Sequence, residues 1–532
     1  MRSLQPQSTP EKRASVVFVI AAVSLLIVGA AMRLWNLNDL PQQVHNDEST
    51  SIVDGIMHFM PAGRGGWALF GSAFGGHPNL SYWMNALPSR VIGEVSLWSA
   101  RMGSALAGTF SLIVLALFVC KAYGRRVCIF FLLFIIPYHL HIHFSRTAFP
   151  YVYALVGMGM VSYAFVLFLK APSRLSALVT GLVMGVAALT YPATHVLPAA
   201  IIAAVVIKLW PDLMKGEGAG RGSYRFLTMS LCFILGTLIA LAPHIIYSYR
   251  YGYSSRLTQT FVLHEHNLRH LGPQTGNPAV TPAGVVWFNM QRTARIFYSG
   301  DTAEQYQFHE NPFPLWGACL AALGAVVLVA KSFRRDPVAI YVVVAGIASF
   351  VASGLMVEGN FSPHLILFAV ITPLAMALAV DKIVGWLRLN YIVVLVPLSV
   401  ALGVVWADWN WKFYNRVVST DRSRLTRAVT YLLRLPITTK EVTTVIGAAG
   451  VDVYPDESYY QLIYPRSKQF QLGKDASVAQ VVELVVKRPG SAVVVEDEGS
   501  VDQVRQELEK LGKKVDLYRY PQFPAIYLYV HE

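Results

Sequence analysis

The chain has 532 residues, of which 54% are hydrophobic and only 14% charged, and its mean hydropathy is +0.45. Soluble domains carry about 25% charged residues, so this composition excludes a chain that is soluble throughout. The net charge is +13, but its distribution excludes nucleic acid as a partner. Residues 1–407 hold 27 Lys and Arg against 15 Asp and Glu, with the basic ones mostly in short connections between apolar runs, and the rest of the chain holds 17 against 16. This pattern is typical of a polytopic membrane protein.

Eleven apolar runs come close to the roughly 20 residues that a helix needs to cross a bilayer. They cover residues 15–32, 103–120, 127–142, 151–169, 175–190, 194–209, 226–247, 312–330, 337–355, 363–380 and 391–407. If the spans alternate, the N-terminus and the even-numbered connections contain 17 Lys and Arg, whereas the three short opposite loops contain only Arg146. The positive-inside rule therefore predicts a cytoplasmic N-terminus. Three hydrophilic regions, 34–102, about 248–311 and 408–532, are predicted to lie outside the cytoplasm.

The sequence divides into a transmembrane module, residues 1–407, and a tail, residues 408–532. In the tail, β-branched and aromatic residues predict strands at 442–446, 492–495, 514–518 and 525–530. Helical periodicity between them predicts helices at 477–486 and 500–511, with Ser477 and Ser500 as N-caps. We therefore expect an extracytoplasmic α/β domain with a structural or acceptor-recruiting role, since the tail contains no Gly-rich nucleotide-binding loop.

Several other kinds of site are disfavoured. The four cysteines lie in or beside apolar runs, so no disulfide framework is predicted. His139, His141 and His143 alternate and would not share one face of a helix, so we predict no metal site there. The centres of the apolar runs contain no charged residue, which disfavours an ion-coupled transporter. A polytopic transporter and an O-antigen polymerase or ligase remain the alternative functions.

The first external region opens with an acidic pair in the segment HNDEST, residues 45–50. Adjacent carboxylates raise each other's pKa, and a raised pKa suits a general base that takes a proton from a hydroxyl group. The alternative is a solvated acidic pair without a chemical role. Two later stretches of this region, about 50–60 and 82–92, are amphipathic and are predicted to lie along the membrane interface.

Arg101 and Arg146 lie at the predicted external ends of the second and third apolar runs. A planar guanidinium group at this depth can bind a lipid phosphate through two parallel hydrogen bonds. The alternative is that both side chains only anchor the ends of their helices at the interface.

Four segments in this order resemble a known family: HNDEST at 45–50, GGHPNLSYW at 75–83, SARMGSALAG at 99–108 and HIHFSRTAFPY at 141–151. The chain resembles the polytopic GT-C glycosyltransferases of the superfamily that includes protein O-mannosyltransferases and lipid A aminoarabinose transferases. It is most similar to bacterial members of the PMT type, also called family 39-like. It departs from their pattern at Asn79, where a second proline is usual, and at Phe149, where a basic residue is usual.

The resemblance implies an α-helical membrane protein of GT-C type, with about eleven transmembrane helices, that transfers a monosaccharide with inversion. The donor would be a polyprenyl-phosphate sugar, and the acceptor a protein, lipid or glycan on the outer face of a bacterial inner membrane. By resemblance, Asp47 is the base, and Glu48 orients the acceptor or tunes Asp47, unless the two exchange roles. Arg101 and Arg146 would bind the donor phosphate, with His77 as a helper and Tyr82 in the substrate site. Since a lipid phosphate is already a good leaving group, no metal or other cofactor is expected.

Overall fold

The computed structural model describes most of the chain, with gaps at the N-terminus, between helices and in the tail. The described residues are 9–38, 40–41, 48, 51–52, 72–73, 77–78, 80–93, 96–214, 219–250, 261–275, 281–300, 306, 308, 310–357, 362–387, 396–419, 444–448, 468–472, 476–488, 490–495, 498–519 and 526–531.

The region before residue 420 is almost entirely helical where it is described. It also contains a short hairpin of β1 (Ser72–Ala73) and β2 (His77–Pro78). The helices are α1 Thr9–Leu34, α2 Leu80–Ile92, α3 Leu97–Tyr123, α4 Arg125–Ile135, α5 His139–Ser145, α6 Tyr151–Lys170, α7 Arg174–Ala188, α8 Leu197–Met214, α9 Ala219–Arg250, α10 Glu265–Leu271, α11 Pro282–Arg295, α12 Leu315–Phe333, α13 Pro337–Gly354, α14 Phe368–Leu387 and α15 Val396–Ser419. Each of the eleven apolar runs coincides largely with one or two of these helices.

The described residues contain seven helices that are long and apolar enough to cross a membrane, or eight if α4 and α5 form one bent span. The predicted fold class, a polytopic helical membrane protein, is confirmed. The predicted number of eleven is not reached by length and hydropathy, because α7 and the helix over 192–208 are apolar but short, and α15 is long but not apolar enough. The third predicted span is not one straight helix either, since α4 and α5 meet at an angle of 68°.

The spanning helices form an inner and an outer group. In α3, α6 and α14, about two thirds or more of the apolar window is buried, whereas the figure is 6% in α1 and 11% in α9. The inner helices build one large core, and the outer ones turn apolar side chains away from the protein, as helices facing lipid do. Close contact between α7 and α9 depends on Gly181, since a Cβ there would clash with the carbonyl oxygen of Phe233.

The tail contains a five-stranded mixed sheet in its described parts. The strands are β3 Thr444–Ala448, β4 Lys468–Gln471, β5 Ser491–Val495, β6 Val515–Arg519 and β7 Ile526–Val530, in the order β4-β3-β5-β7-β6. β3 is parallel to β4 and β5, and β7 is antiparallel to β5 and β6. Two helices accompany the sheet, α16 Val478–Val486 and α17 Glu498–Lys510.

The four predicted tail strands are present within two residues of their expected limits, and β4 was not predicted. Ser477 caps α16 as predicted, in a capping box with Gln480. Ser500 is not an N-cap, because α17 already begins at Glu498. The predicted domain boundary after residue 407 falls inside α15, which continues to Ser419. The division into two domains remains a prediction.

Candidate active site

A group of main-chain carbonyl oxygens at the end of α1 and just after it forms what is called the α1 platform here. The carbonyls are those of Gly29, Met32, Asn36, Leu37, Leu40 and Pro41. The last carbonyls of a helix have no partner within the helix, and they form the negative end of its dipole. Here the carbonyls of α1 and of the turn that follows accept hydrogen bonds from three fully buried arginines, Arg33, Arg101 and Arg146. The three guanidinium charges are thus stabilised inside the protein by carbonyls of one helix end and of the chain that follows it.

Arg101 joins these carbonyls to Glu48 in the hydrophilic region 34–102. Its Nη1 donates to the carbonyl oxygens of Leu37 at 3.0 Å and Pro41 at 2.7 Å. The same guanidinium binds both carboxylate oxygens of Glu48, with Nε to Oε1 at 2.8 Å and Nη2 to Oε2 at 3.1 Å. This is the forked geometry in which Arg and a carboxylate bind most strongly.

Glu48 is only 1% exposed and has a third donor. The backbone N–H of Ala148 donates to Oε1 at 2.8 Å. Three segments that are distant in sequence therefore meet at this carboxylate: HNDEST, SARMGSALAG and HIHFSRTAFPY. They are three of the four segments that carry the family resemblance.

Arg146 binds the platform from the opposite side. Nη1 donates to the carbonyl oxygen of Met32 at 2.6 Å, and Nη2 donates to those of Asn36 at 3.2 Å and Leu40 at 3.1 Å. The buried Tyr414 of α15 lies beside it. Burial raises the pKa of the Tyr414 hydroxyl, and the nearby charge of Arg146 acts in the opposite direction.

Asn85 fixes α2 to the same region. Its Nδ2 donates to the carbonyl oxygen of Ala148 at 3.0 Å, and its Oδ1 accepts from the hydroxyls of Ser104 and Tyr153, both at 2.8 Å. Ala148 is therefore held through its N–H by Glu48 and through its carbonyl by Asn85. Sequence reasoning did not single out Asn85, because its role depends on contacts with α3 and α6.

The predicted site residues are only partly brought together. Glu48, Arg101 and Arg146 meet at the end of α1, and Tyr82 is buried on α2. His77 pairs with Ala73 in the short hairpin. Asp47 lies outside the described residues. The sequence suggested that the two arginines bind a lipid phosphate directly, but the described hydrogen bonds of the two guanidinium groups go to carbonyls, to Glu48 and to Tyr414. Their role toward a donor remains a prediction.

Arg33 is the charged residue of this region that sequence reasoning missed. It is fully buried at the last turn of α1. The available signal was an arginine at the outer end of the first apolar run, a position where a helix anchor is common. The structure instead places it under the break between α4 and α5, with Nη1 and Nη2 each 3.2 Å from the carbonyl oxygen of Ile136.

The described residues contain no group of three or more His, Cys, Asp and Glu arranged to hold a metal ion. The alternating histidines of α5 have different partners. His139 Nδ1 lies 2.9 Å from the hydroxyl of Tyr306, whereas His141 Nε2 lies 3.0 Å from that of Ser111. In the part of the site that is described, the charged side chains are the carboxylate of Glu48 and the guanidinium groups of Arg33, Arg101 and Arg146.

Comparison with solved structures identifies the fold. The apo structure of ArnT, an aminoarabinose transferase from Cupriavidus metallidurans, matches with a TM-score of 0.52 and 14% identity over 98% of both chains. The structure of that protein bound to undecaprenyl phosphate matches with a TM-score of 0.47 and 14% identity over 97% of both chains. The oligosaccharyltransferase AglB from Archaeoglobus fulgidus, in complex with an inhibitory peptide and a dolichol-phosphate, matches with a TM-score of 0.45 and 13% identity over 95% of this chain and 74% of AglB. No protein-family model and no curated protein matches the sequence. The match to apo ArnT shows that the chain has the GT-C fold over nearly its whole length.

Proposed function

We propose that this GT-C protein is a membrane glycosyltransferase that moves a monosaccharide from a polyprenyl-phosphate donor to a hydroxyl acceptor on the outer face of the membrane. The observation that carries the proposal is the buried Glu48 carboxylate, at which three of the four family-like segments meet. The fold shared with ArnT supports the same reaction class. A fold alone does not define a reaction, so the residues of the site must supply the argument.

Asp47 is the general base in this proposal. Glu48 is unsuited to the role because it is buried and its two oxygens already accept hydrogen bonds from Arg101 and from the Ala148 N–H. The adjacent Asp47 has the right chemistry, and the bonds of Glu48 fix the chain beside it. Glu48 and Arg101 are then positioning residues that hold the base.

The reaction is a single displacement. The acceptor oxygen attacks the anomeric carbon and forms the new glycosidic bond, while its proton passes to Asp47. The bond from the anomeric carbon to the phosphate oxygen breaks with its electron pair, so polyprenyl phosphate leaves and the configuration inverts. Because this leaving group is stable as an anion, the step needs no metal, and we expect a chelator to leave the rate unchanged.

The buried arginines favour an anionic donor through their charge. Arg33, Arg101 and Arg146 carry three positive charges, and Glu48 is the one carboxylate that is hydrogen-bonded to any of them among the described residues. Charges in a poorly solvated region act over longer distances than in water. The excess stabilises the donor phosphate and the charge that develops on it during transfer. His77 and Tyr82 remain candidates for direct contact with the donor.

The proposal is tested by sugar transfer from radiolabelled polyprenyl-phosphate sugars by the purified full-length protein. Asp47→Asn should lower the rate by about 10²–10⁴-fold, because proton transfer in the transition state is lost. Asp54→Asn, the same change in the same external region, is the matched control and should retain transfer. Equal rates for Asp47→Asn and the wild type would contradict the role of Asp47. Solute uptake into proteoliposomes without consumption of lipid-linked sugar would favour a transporter instead.

A further inference from the structure

The predicted span formed by α4 and α5 is broken between Ile135 and His139, and side chains of other helices bond the backbone on both sides of the break. Pro137, in the break, has no N–H to donate, and the backbone around it loses helical hydrogen bonds. At membrane depth such groups must find other partners. On the α4 side, the carbonyl oxygen of Phe134 accepts from Trp406 Nε1 at 2.8 Å. On the α5 side, the N–H of His139 donates to Asn410 Oδ1 at 3.0 Å.

Arg33 spans the middle of this break. Its guanidinium donates twice to the carbonyl oxygen of Ile136, once to that of Gly29 at 2.9 Å, and once to His141 Nδ1 at 2.8 Å. Since arginine only donates, His141 Nδ1 must accept, and the neutral ring carries its proton on Nε2. That proton points to Ser111 Oγ, 3.0 Å away on α3. One side chain thus connects α1, the break, α5 and, through His141, α3.

The orientation of α5 determines where the Ala148 amide lies. α5 ends at Ser145, and Arg146 and Ala148 follow within three residues. Arg146 binds the α1 platform, and the Ala148 N–H binds Glu48. A rotation of α5 about the break would therefore move the Ala148 N–H that donates to Glu48. Removing the forked guanidinium of Arg33 would allow such a rotation.

We propose that Arg33 is a positioning residue of the candidate active site, which holds the break between α4 and α5 so that the Ala148 amide stays bonded to Glu48. This proposal rests on the proposed function for its effect on catalysis, but the structural coupling itself does not. The described hydrogen bonds of Arg33 go to α1, to the break and to α5, so its positioning effect on Glu48 is exerted through α5.

The first test compares two variants that each lose hydrogen bonds at the break. Arg33→Lys keeps the positive charge but loses the fork, and we expect kcat for sugar transfer to fall by about 100-fold, as for a misplacement of about 1 Å. KM for the lipid donor should stay unchanged. The matched control, Trp406→Phe, loses the bond to Phe134 on the α4 side and leaves α5 attached to Arg33. An equal loss of kcat in both variants, per folded molecule, would show that Arg33 only stabilises the fold.

The second test does not require activity. The midpoint of thermal unfolding is measured for Arg33→Lys, Glu48→Gln and the double variant, all as full-length protein. Because both changes loosen the same Ala148 contact, the shift of the double variant should be smaller than the sum of the single shifts. The pair Trp406→Phe with Glu48→Gln should be additive. Additive shifts for Arg33→Lys with Glu48→Gln would overturn the proposal. Absence of transfer by the wild type would contradict only the proposed function.

Discussion

Charged residues are buried at the end of α1 but exposed to solvent on the surface of the tail. Arg101 is 0% and Glu48 1% exposed, and their partners are a carboxylate, carbonyls and one amide. In the tail, both members of the pair Lys487–Glu483 are 66% exposed. A buried charge is costly unless its fixed partners compensate for lost water, whereas an exposed charge keeps its water. The comparison shows what determines the loss of stability when a charged residue near Glu48 is replaced. It is the positions of the fixed partners, which lie far apart in sequence.

Apolar residues show the reverse arrangement. In α2 the buried side carries Tyr82 and four polar or small side chains, namely Ser81, Asn85, Ala86 and Ser89. The exposed side carries Met84, Leu87, Val91 and Ile92. An apolar outer face of this kind fits contact with lipid. In α16 the order is that of a helix in water, since Val481 and Val485 are buried while Glu483 faces outward.

The largest expected effect is the loss of the buried ion pair. Glu48→Gln or Arg101→Met should each lower the free energy of unfolding by about 3–5 kcal/mol, because the remaining charge stays buried without its partner. The matched control is Arg416→Met, which breaks an exposed Arg–Glu pair with Glu310 and should cost about 1 kcal/mol or less. Unfolding of the purified proteins in detergent measures the difference. Equal costs would contradict the contrast between buried and exposed charges.

In the tail the costly change is an apolar one. Leu528 is fully buried at the centre of β7, between β5 and β6. Leu528→Ala should cost about 2–5 kcal/mol, from the lost burial and the remaining cavity. Leu511→Ala removes the same atoms from a side chain that is 57% exposed, and we expect about 0.5 kcal/mol or less. Similar shifts in the unfolding of the tail for the two variants would show that the sheet has no tightly packed core.

Asn85→Ala tests the inverted arrangement of α2. The variant leaves buried groups of Ser104, Tyr153 and Ala148 without this partner, and each such group costs about 1–3 kcal/mol if nothing replaces it. Met84→Ala, next to it on the exposed side, should have little effect on unfolding in detergent. A larger effect of the methionine change would mean that the exposed side of α2 packs against protein.

Most of the long helices of the membrane module could be predicted because each coincides with an apolar run whose length shows in the sequence itself. The break in the third run could not be located, although Pro137 is a signal, since the break depends on partners in α1 and α15. Glu48, Arg101 and Arg146 were identified by residue type and position, but their bonds to one helix end could not be. Arg33 was missed for the same reason. In the tail, β4 was not predicted, because its sequence KQFQ has few strand-forming residues and it lies at the edge of the sheet.

The smallest expected effect concerns an ion pair on the tail surface. Arg505 and Glu509 lie one turn apart on α17 with side chains 41% and 47% exposed, and Arg505 Nε donates to Glu509 at 2.7 Å. Solvent screens this attraction, and the two side chains lose conformational freedom when they pair, so exposed helical pairs contribute only about 0.3–0.5 kcal/mol. Arg505→Ala should therefore shift the unfolding of the tail by that amount or less, and the shift should shrink further in high salt. Since alanine also favours helix formation, the net change can fall to zero. A loss as large as that of Leu528→Ala would show that Arg505 has a buried partner, and the contrast between the two regions would then not extend to this surface.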